Sequence, residues 1–321
     1  MHEILASIPV PLAAAWAAAL GAAVGSFLNV VVARLPRGES LLRPGSRCPR
    51  CRTPIAWHDN VPVLSWILLG GRCRACSAPI SFRYPLVEAL GALAALLAFR
   101  RHGLSLPAAA EFAFASVLLA LTFIDLDTWL LPHALTWPLL ACGVLAAAAG
   151  LGPAPLSASL WGAGLGFAAF AAVAWAGARV FKKEALGFGD VWLLAGIGAW
   201  LGARALLPVV LLASLQGSLV GIALILAGKG TPGPQPASPA TATPTSTPSP
   251  SPSPSPSPTE PATPTPTPTP TSPPTPTQPP DDWVPPRNAV PFGPFLALGA
   301  LEWLWLGGAL ARWVPALDVF R

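Results

Sequence analysis

Two acidic residues, far apart in the chain, carry the strongest chemical signal. Asp190 ends the stretch Glu184-Ala-Leu-Gly-Phe-Gly-Asp190, behind two alternating glycines at the mouth of an apolar segment, and Asp125 opens a second polar break, Asp125-Leu-Asp127. An ionisable residue at the edge of a bilayer span costs free energy, roughly 2.5–3.5 kcal/mol at mid-helix, so it is more often functional than accidental. Gly187 and Gly189 lack a Cβ, which admits unusual dihedrals and the close approach of another backbone. Two aspartates that meet across a small gap do not both ionise cheaply. They share a proton, one acting as general base on a water and the other as general acid, the chemistry of aspartic peptide hydrolysis. The same residues also read as helix caps, with Asp125 and Asp127 at a membrane boundary and Asp190 as an N-cap. On chemistry alone both readings stand, and co-location of the pair decides between them.

The cysteines form a second constellation. Cys48-Pro-Arg-Cys51 and Cys73-Arg-Ala-Cys76 are separated by twenty-one residues, close to the spacing of a four-cysteine zinc ribbon. Four thiolates suit a tetrahedral, closed, structural zinc site with no position left for substrate. Disulfides or unrelated free thiols are the alternatives, and a reducing cytoplasm disfavours the first. His58, His102 and His133 are scattered without a serine or cysteine in a catalytic arrangement, and Cys142 falls inside an apolar run.

The elements that must position these groups are membrane spans. The chain of 321 residues is 53% hydrophobic and only 10% charged, against roughly 25% charged residues in a soluble domain. Apolar runs are expected to span the bilayer over 8–33, 86–99, 106–124, 134–151, 156–180, 191–201, 205–227 and 291–312. The first lacks the basic, short-cored pattern of a cleavable signal and reads as a retained span. The second has only fourteen apolar-rich positions, a reach of about 21 Å, so Tyr84, Glu88 or the flanking arginines are expected at an interface. Gly162 and Gly166, four apart in the fifth run, are spaced for close helix packing.

The fold class predicted is an all-α polytopic membrane protein of about eight transmembrane helices with a small zinc-ribbon-like loop domain. Its expected divisions are the first span at 1–33, the four-cysteine domain at 34–84 and a transmembrane catalytic domain at 85–230, then an insertion at 231–290 and the last span at 291–321. The insertion is almost all Pro, Thr and Ser between Thr231 and Pro286, a composition that favours solvated polyproline II over a packed core. Nine of the nineteen Lys and Arg lie between Arg34 and Arg83, which marks that loop as cytoplasmic and directs the arginines to lipid phosphates rather than nucleic acid. Counting spans from there brings Asp125, after the third, and Asp190, before the sixth, out on the same cytoplasmic side. The insertion falls on that side too.

The ordered motifs resemble the prepilin peptidases, or type IV leader peptidases, over nearly the whole chain. They are Gly25-Ser-Phe-Leu-Asn-Val30 with Arg34-Leu-Pro36, both cysteine pairs, Asn60-Val-Pro62 with Ser65-Trp66, and Ile80-Ser-Phe-Arg-Tyr-Pro-Leu-Val-Glu88. Phe123-Ile-Asp125 with Leu131-Pro132, Leu186-Gly-Phe-Gly-Asp190, Gly198, Gly202 and Pro291-Phe-Gly-Pro294 continue the series. The resemblance implies an inner-membrane aspartic protease whose catalytic pair is Asp125 and Asp190, cutting the short basic leader of prepilin and pseudopilin precursors just ahead of their hydrophobic helix. It also implies methylation of the new amino terminus with S-adenosylmethionine, an activity that no residue pattern here suggests by itself. Two side chains depart from the family's usual pattern: His133 stands where an acid follows the proline, and Trp192 where a lysine follows the second aspartate. A catalytically impaired pilin-binding scaffold is the runner-up on that account. A transporter is a weaker third, and it requires Glu88, Glu111 and Glu302 to converge on one cavity. Glu302, inside the last span, is expected neutral or paired with a polar group on a neighbouring span.

Overall fold

The computed structural model describes residues 9–181, 187–227 and 290–320. Lys182 and Lys183, Glu184 to Leu186 of the first motif, and the Thr231 to Pro286 insertion lie outside them. Contacts divide the chain into one unit of 1–220 with 290–321, and a second of 221–289. Among the described residues the only pairing outside helices is two isolated antiparallel bridges, Arg47 with Pro54 and Arg72 with Pro79.

Eight long helices answer to the eight expected runs: α1 (Val10–Arg34), α3 (Arg83–His102), α4 (Leu106–Thr128), α5 (His133–Ala148), α6 (Leu156–Phe181), α7 (Phe188–Leu201), α8 (Ala203–Leu226) and α9 (Gly293–Trp313). A fifth-length piece, α2 (Leu64–Leu68), sits in the polar loop. Helices α1, α4, α6, α8 and α9 are long and apolar enough to cross a membrane, and α5 and α7 are shorter apolar helices. Large apolar side chains such as Trp16, Leu20, Trp161, Leu165, Leu211 and Leu215 stand exposed on the helices. So many exposed apolar side chains suit a hydrocarbon solvent rather than water.

Several boundaries differ from the sequence reading: α7 begins at Phe188 rather than Val191 and so takes in Asp190, and α5 ends at Ala148 rather than Leu151. Helix α3 is 20 residues long rather than fourteen, because Arg83, Tyr84 and the terminal Arg100, Arg101 and His102 continue the helical backbone beyond its apolar stretch. Helix α4 runs through Asp125 to Thr128, so Asp125 belongs to its last turn and not to a polar loop. Trp129 ends the helix, turning left-handed at φ 57° with its N–H donating to the Asp125 carbonyl. A non-glycine residue adopts that conformation uncommonly.

Helix α7 lies at the centre. Val191, Leu193, Leu194, Ile197 and Ala199 are all buried to within 1%, the pattern of a helix apolar on every side. Small residues let its neighbours reach it. A Cβ on Gly162 of α6 would collide with the Gly198 carbonyl, and one on Gly166 would lie 2.7 Å from the Leu194 carbonyl oxygen. On the α5 side Trp200 donates its indole N–H to the Leu139 carbonyl at 2.8 Å, and Ser159 of α6 donates to the Ala199 carbonyl at 2.6 Å. The residue at the start of this tightly held helix is Asp190.

Candidate active site and metal centre

Asp125 and Asp190, 65 positions apart in the chain, are buried to 5% and 8% exposure at one place. Leu131 faces a glycine next to Asp190 and the glycine that packs on Asp125. A Cβ on Gly189 would lie 2.7 Å from the Leu131 Cβ, and one on Gly293 would lie 3.3 Å from its Cδ1 and 2.5 Å from the Asp125 Oδ2. The Gly293 N–H donates to the Asp125 carboxylate, and Asp125 lies near Asp190. Asp190 Oδ1 is buried with no hydrogen-bond partner among the described residues. A buried polar atom in that state costs free energy unless function uses it.

The geometry follows from local sequence. The Gly187 carbonyl accepts from the Asp190 N–H at 3.0 Å, so the Asp190 backbone lies within the first turn of α7. The N-cap is Gly187, which has no side chain to cap α7, and a Cβ there would lie 3.6 Å from the Asp190 Oδ2. Both glycines at the site, Gly189 and Gly293, are places where a side chain would strike Leu131 or Asp125. The sequence pointed to Asp125, Asp190 and Gly189. It carried Leu131 and Gly293 within motifs, without pointing to Leu131 as a neighbour of the pair or to the Gly293 N–H as a donor. The available signal was Gly293 between Phe292 and Pro294, a residue without bulk at the start of an apolar helix.

The four cysteines also meet. Cys48 and Cys76 Sγ are 3.8 Å apart and Cys51 and Cys73 Sγ 4.0 Å apart, and all four sulfurs lie within 4.8 Å of one another. Zn–S bonds of about 2.3 Å place tetrahedral sulfurs roughly 3.8 Å apart, so the set fits one ion. The cysteines are free rather than disulfide-bonded. Each pair sits on its own knuckle: Cys48 N–H donates to the Thr53 carbonyl and Cys73 N–H to the Ala78 carbonyl, at 3.0 and 2.9 Å. Arg52 and Ser77, one past each second cysteine, are both left-handed, at φ 59° and 55°. Side-chain and backbone hydrogen bonds at Thr53 pull the Cys51 thiol down to about 6. Backbone hydrogen bonds from Cys76 and Ala75 lower that of Cys73. Both shifts favour the thiolate that a metal requires, while, against a backbone hydrogen bond at Ala78, burial and hydrogen bonding to the other three cysteines push the Cys76 thiol up to about 11.

The three intramembrane glutamates have separate partners. Glu88 accepts from the Val63 N–H at 2.7 Å, Glu111 meets Arg101, His102 and the Trp305 indole, and Glu302 accepts from the Gln216 amide. Glu302 is thus paired with a neighbouring span as expected, and among the described residues the three have separate partners rather than a shared cavity. His133 and Trp192 lie together in an aromatic cluster.

Comparison with known proteins agrees with these motifs. Residues 19–102 match the bacterial peptidase A24 N-terminal domain and residues 112–222 the type IV leader peptidase family. The chain is 43% identical to a prepilin leader peptidase/N-methyltransferase of Myxococcus xanthus, over 98% of this chain and 96% of that relative. The chain belongs to the type IV leader peptidase family. A Klebsiella pneumoniae protein of the same name is 45% identical over 60% of this chain and 87% of its own length. A type 4 prepilin-like proteins leader peptide-processing enzyme of Escherichia coli O78:H11 is 42% identical over 63% and 82%. No solved structure matches the chain. Family membership accounts for the multi-pass helical architecture and places the two buried aspartates in a peptidase.

Proposed function

We propose that this family member is a membrane-embedded aspartic endopeptidase that removes the leader from prepilin and pseudopilin precursors, with Asp125 and Asp190 as its catalytic pair. One observation carries the reading: two helix termini distant in sequence bury two carboxylates beside one leucine and two obligatory glycines. Caps would be dispersed and would bond to their own helices, which Asp190 Oδ1 does not. The names of the relatives supply the substrate class, and the aromatic exchange at His133 and Trp192 leaves the pair in place.

The proton accounting is that of a shared-proton dyad. The ionised carboxylate takes a proton from water as the water oxygen bonds to the scissile carbonyl carbon, and the protonated carboxyl gives its proton to the carbonyl oxygen. The resulting diol collapses with cleavage of the C–N bond. The amine leaves with the proton held by the first carboxylate, and a hydroxyl proton returns to the second, so each turn consumes one water. The Gly293 N–H holds Asp125 in orientation, and the missing Cβ atoms at Gly189 and Gly293 leave room for Leu131 and the Asp125 carboxylate to close against the starts of α7 and α9.

Cys48, Cys51, Cys73 and Cys76 would hold a structural zinc ion, which would supply folding free energy to the loop and no open catalytic position. The names of the relatives also support methylation of the new amino terminus with S-adenosylmethionine. The cavity of about 250 Å³ lined by His102, Glu111, Phe114 and Trp200 offers no free carboxylate for a ribose diol, since Glu111 is already paired, and no step is derived through that donor. We place the arginine-rich loop, both aspartates and the insertion on the cytoplasmic side, from the nine basic residues of 34–83. On that basis 34–84 is the metal-binding domain and 85–230 the catalytic one, with lipid rather than nucleic acid around the arginines.

The test is incubation of the detergent-solubilised full chain with a precursor carrying a basic leader and an apolar helix, read by mass spectrometry. Release of the intact leader with one cut ahead of the helix is expected. A folded, metal-loaded protein that cuts none of several precursors would favour the scaffold reading.

A further inference from the structure

Helix α4 ends on an electrostatic problem. Its last turn carries Asp125 and Asp127 and no basic residue, yet the carbonyl end of a helix is already partly negative and favours cations. The missing cation comes from another helix. Arg83, the first residue of α3, donates from Nη1 to both oxygens of Asp127 at 2.6 and 2.7 Å. It also donates from Nη2 to the Phe123 carbonyl at 3.0 Å, and its guanidinium lies 4.8 Å above the Phe123 ring. These contacts bracket Asp125, two residues to either side.

We propose that Arg83 is a positioning residue for Asp125, clamping the final turn of α4 through Asp127 and the Phe123 carbonyl so that the carboxylate meets Asp190. This rests on the reading of Asp125 and Asp190 as the catalytic pair. Arg83 reaches neither carboxylate of that pair in the structure; it acts through the backbone that carries one of them. Within the turn Thr128 Oγ1 donates to the Ile124 carbonyl at 2.8 Å and the left-handed Trp129 donates its N–H to the Asp125 carbonyl at 2.9 Å, bonds local to the turn, whereas Arg83 ties it to another helix. A lysine cannot replace the contact fully, because a carboxylate and a carbonyl held from two nitrogens of one group need the planar fork of a guanidinium.

The clamp itself is seated. The Arg83 N–H donates to Ser81 Oγ at 3.3 Å. One residue along, the Tyr84 carbonyl accepts from the Asn29 amide of α1 at 3.2 Å. Helix α3 is pressed onto α1 where Gly25 would otherwise place a Cβ 2.7 Å from the Glu88 Cα. Arg83 therefore starts from a fixed point and ties the end of α4 to it.

Steady-state cleavage kinetics on the solubilised full chain test this, comparing Arg83→Gln, Arg83→Lys, Asp127→Asn, the double variant Arg83→Gln/Asp127→Asn, and an Asp125→Asn control. A displacement of about 1 Å at a reacting group costs on the order of 10²-fold in rate. The expected result is a kcat loss of that order in Arg83→Gln with KM unchanged, partial recovery in Arg83→Lys, a similar loss in Asp127→Asn and no further loss in the double variant. A raised KM with unchanged kcat would make Arg83 a leader-binding residue and overturn the proposal. So would wild-type kcat in Arg83→Gln, or losses that multiply in the double variant. If Asp125→Asn cleaves like the wild type, the catalytic pair itself is wrong, an outcome distinct from any result at Arg83.

Discussion

His133 and Trp192 meet edge to face, their ring centroids 6.4 Å apart and their planes at 79°. They are the two positions at which the chain departs from the acid and the lysine usual in its family, and they touch. His133 also stacks on Trp137 at 5.3 Å, and Trp192 meets Trp137, Phe167 and Phe188. Phe188 and Trp192 share a helix face four residues apart, on the side of α7 away from Asp190. The pair is one aromatic contact in the seating of α7. His133→Asp and Trp192→Lys should each lower thermal stability and cleavage, while the double variant recovers both, with a coupling of about 0.5–1.5 kcal/mol. Strict additivity in the cycle would contradict this.

Gly293→Ala would place a methyl 2.5 Å from Asp125 Oδ2, within the carboxylate's own volume. Cleavage should fall by about 10²-fold or more with the helices intact by circular dichroism. Gly189→Ala meets the Leu131 Cβ at 2.7 Å instead, so removing that atom in Gly189→Ala/Leu131→Gly should restore part of the lost rate. Equal activity in the single and double variants would show that Leu131 is not the obstacle.

Helix α6 leans on α7 through bare backbone. At Gly162 and Gly198 each added Cβ would strike the carbonyl of the other, and neither carbonyl can swing aside as a side chain can. Gly162→Ala should therefore cost assembly, seen as lower yield of monodisperse protein and a lower melting temperature. Gly164→Ala, where nothing lies within 4 Å, should leave both unchanged.

Arg74 grips Asp59 through three contacts between 2.6 and 3.1 Å, and its hydrogen bonds hold the Asp59 carboxyl below its ordinary value of 3.8. A carboxylate depressed in the folded state stabilises above its unfolded pKa, and that contribution is lost as pH falls through the folded value. The loop domain should therefore lose protection against proteolysis below about pH 4, and Asp59→Asn should remove that pH dependence. Metal analysis should return about one zinc per chain, and chelation should expose residues 46–80 to protease while leaving the helical bundle resistant.

Much of this architecture was legible because a bilayer demands long apolar runs, and eight of them stood out between polar breaks. The cysteine spacing was legible because four ligands on two knuckles leave few geometries. The final turn of α4 was not. Asp125-Leu-Asp127 looked like a break by polarity, yet hydrogen bonding carries the helix through it, and Trp129 takes a conformation no composition rule assigns to tryptophan. Arg83 was invisible as a partner for Asp127 because 44 residues separate them, and charge pairing at that range depends on how two helices pack. Gly293 was visible as a motif, but its N–H as the donor to Asp125 required the fold.

Asp125→Asn, Asp190→Asn and the double variant, each purified folded and metal-loaded, give the most direct measurement when assayed for release of the leader from a prepilin-type precursor. Residues that act as one unit lose activity together rather than additively. Cleavage should vanish in each single variant, with no further loss in the double. Cleavage that survives in either single variant would show that the two buried aspartates are not a catalytic pair.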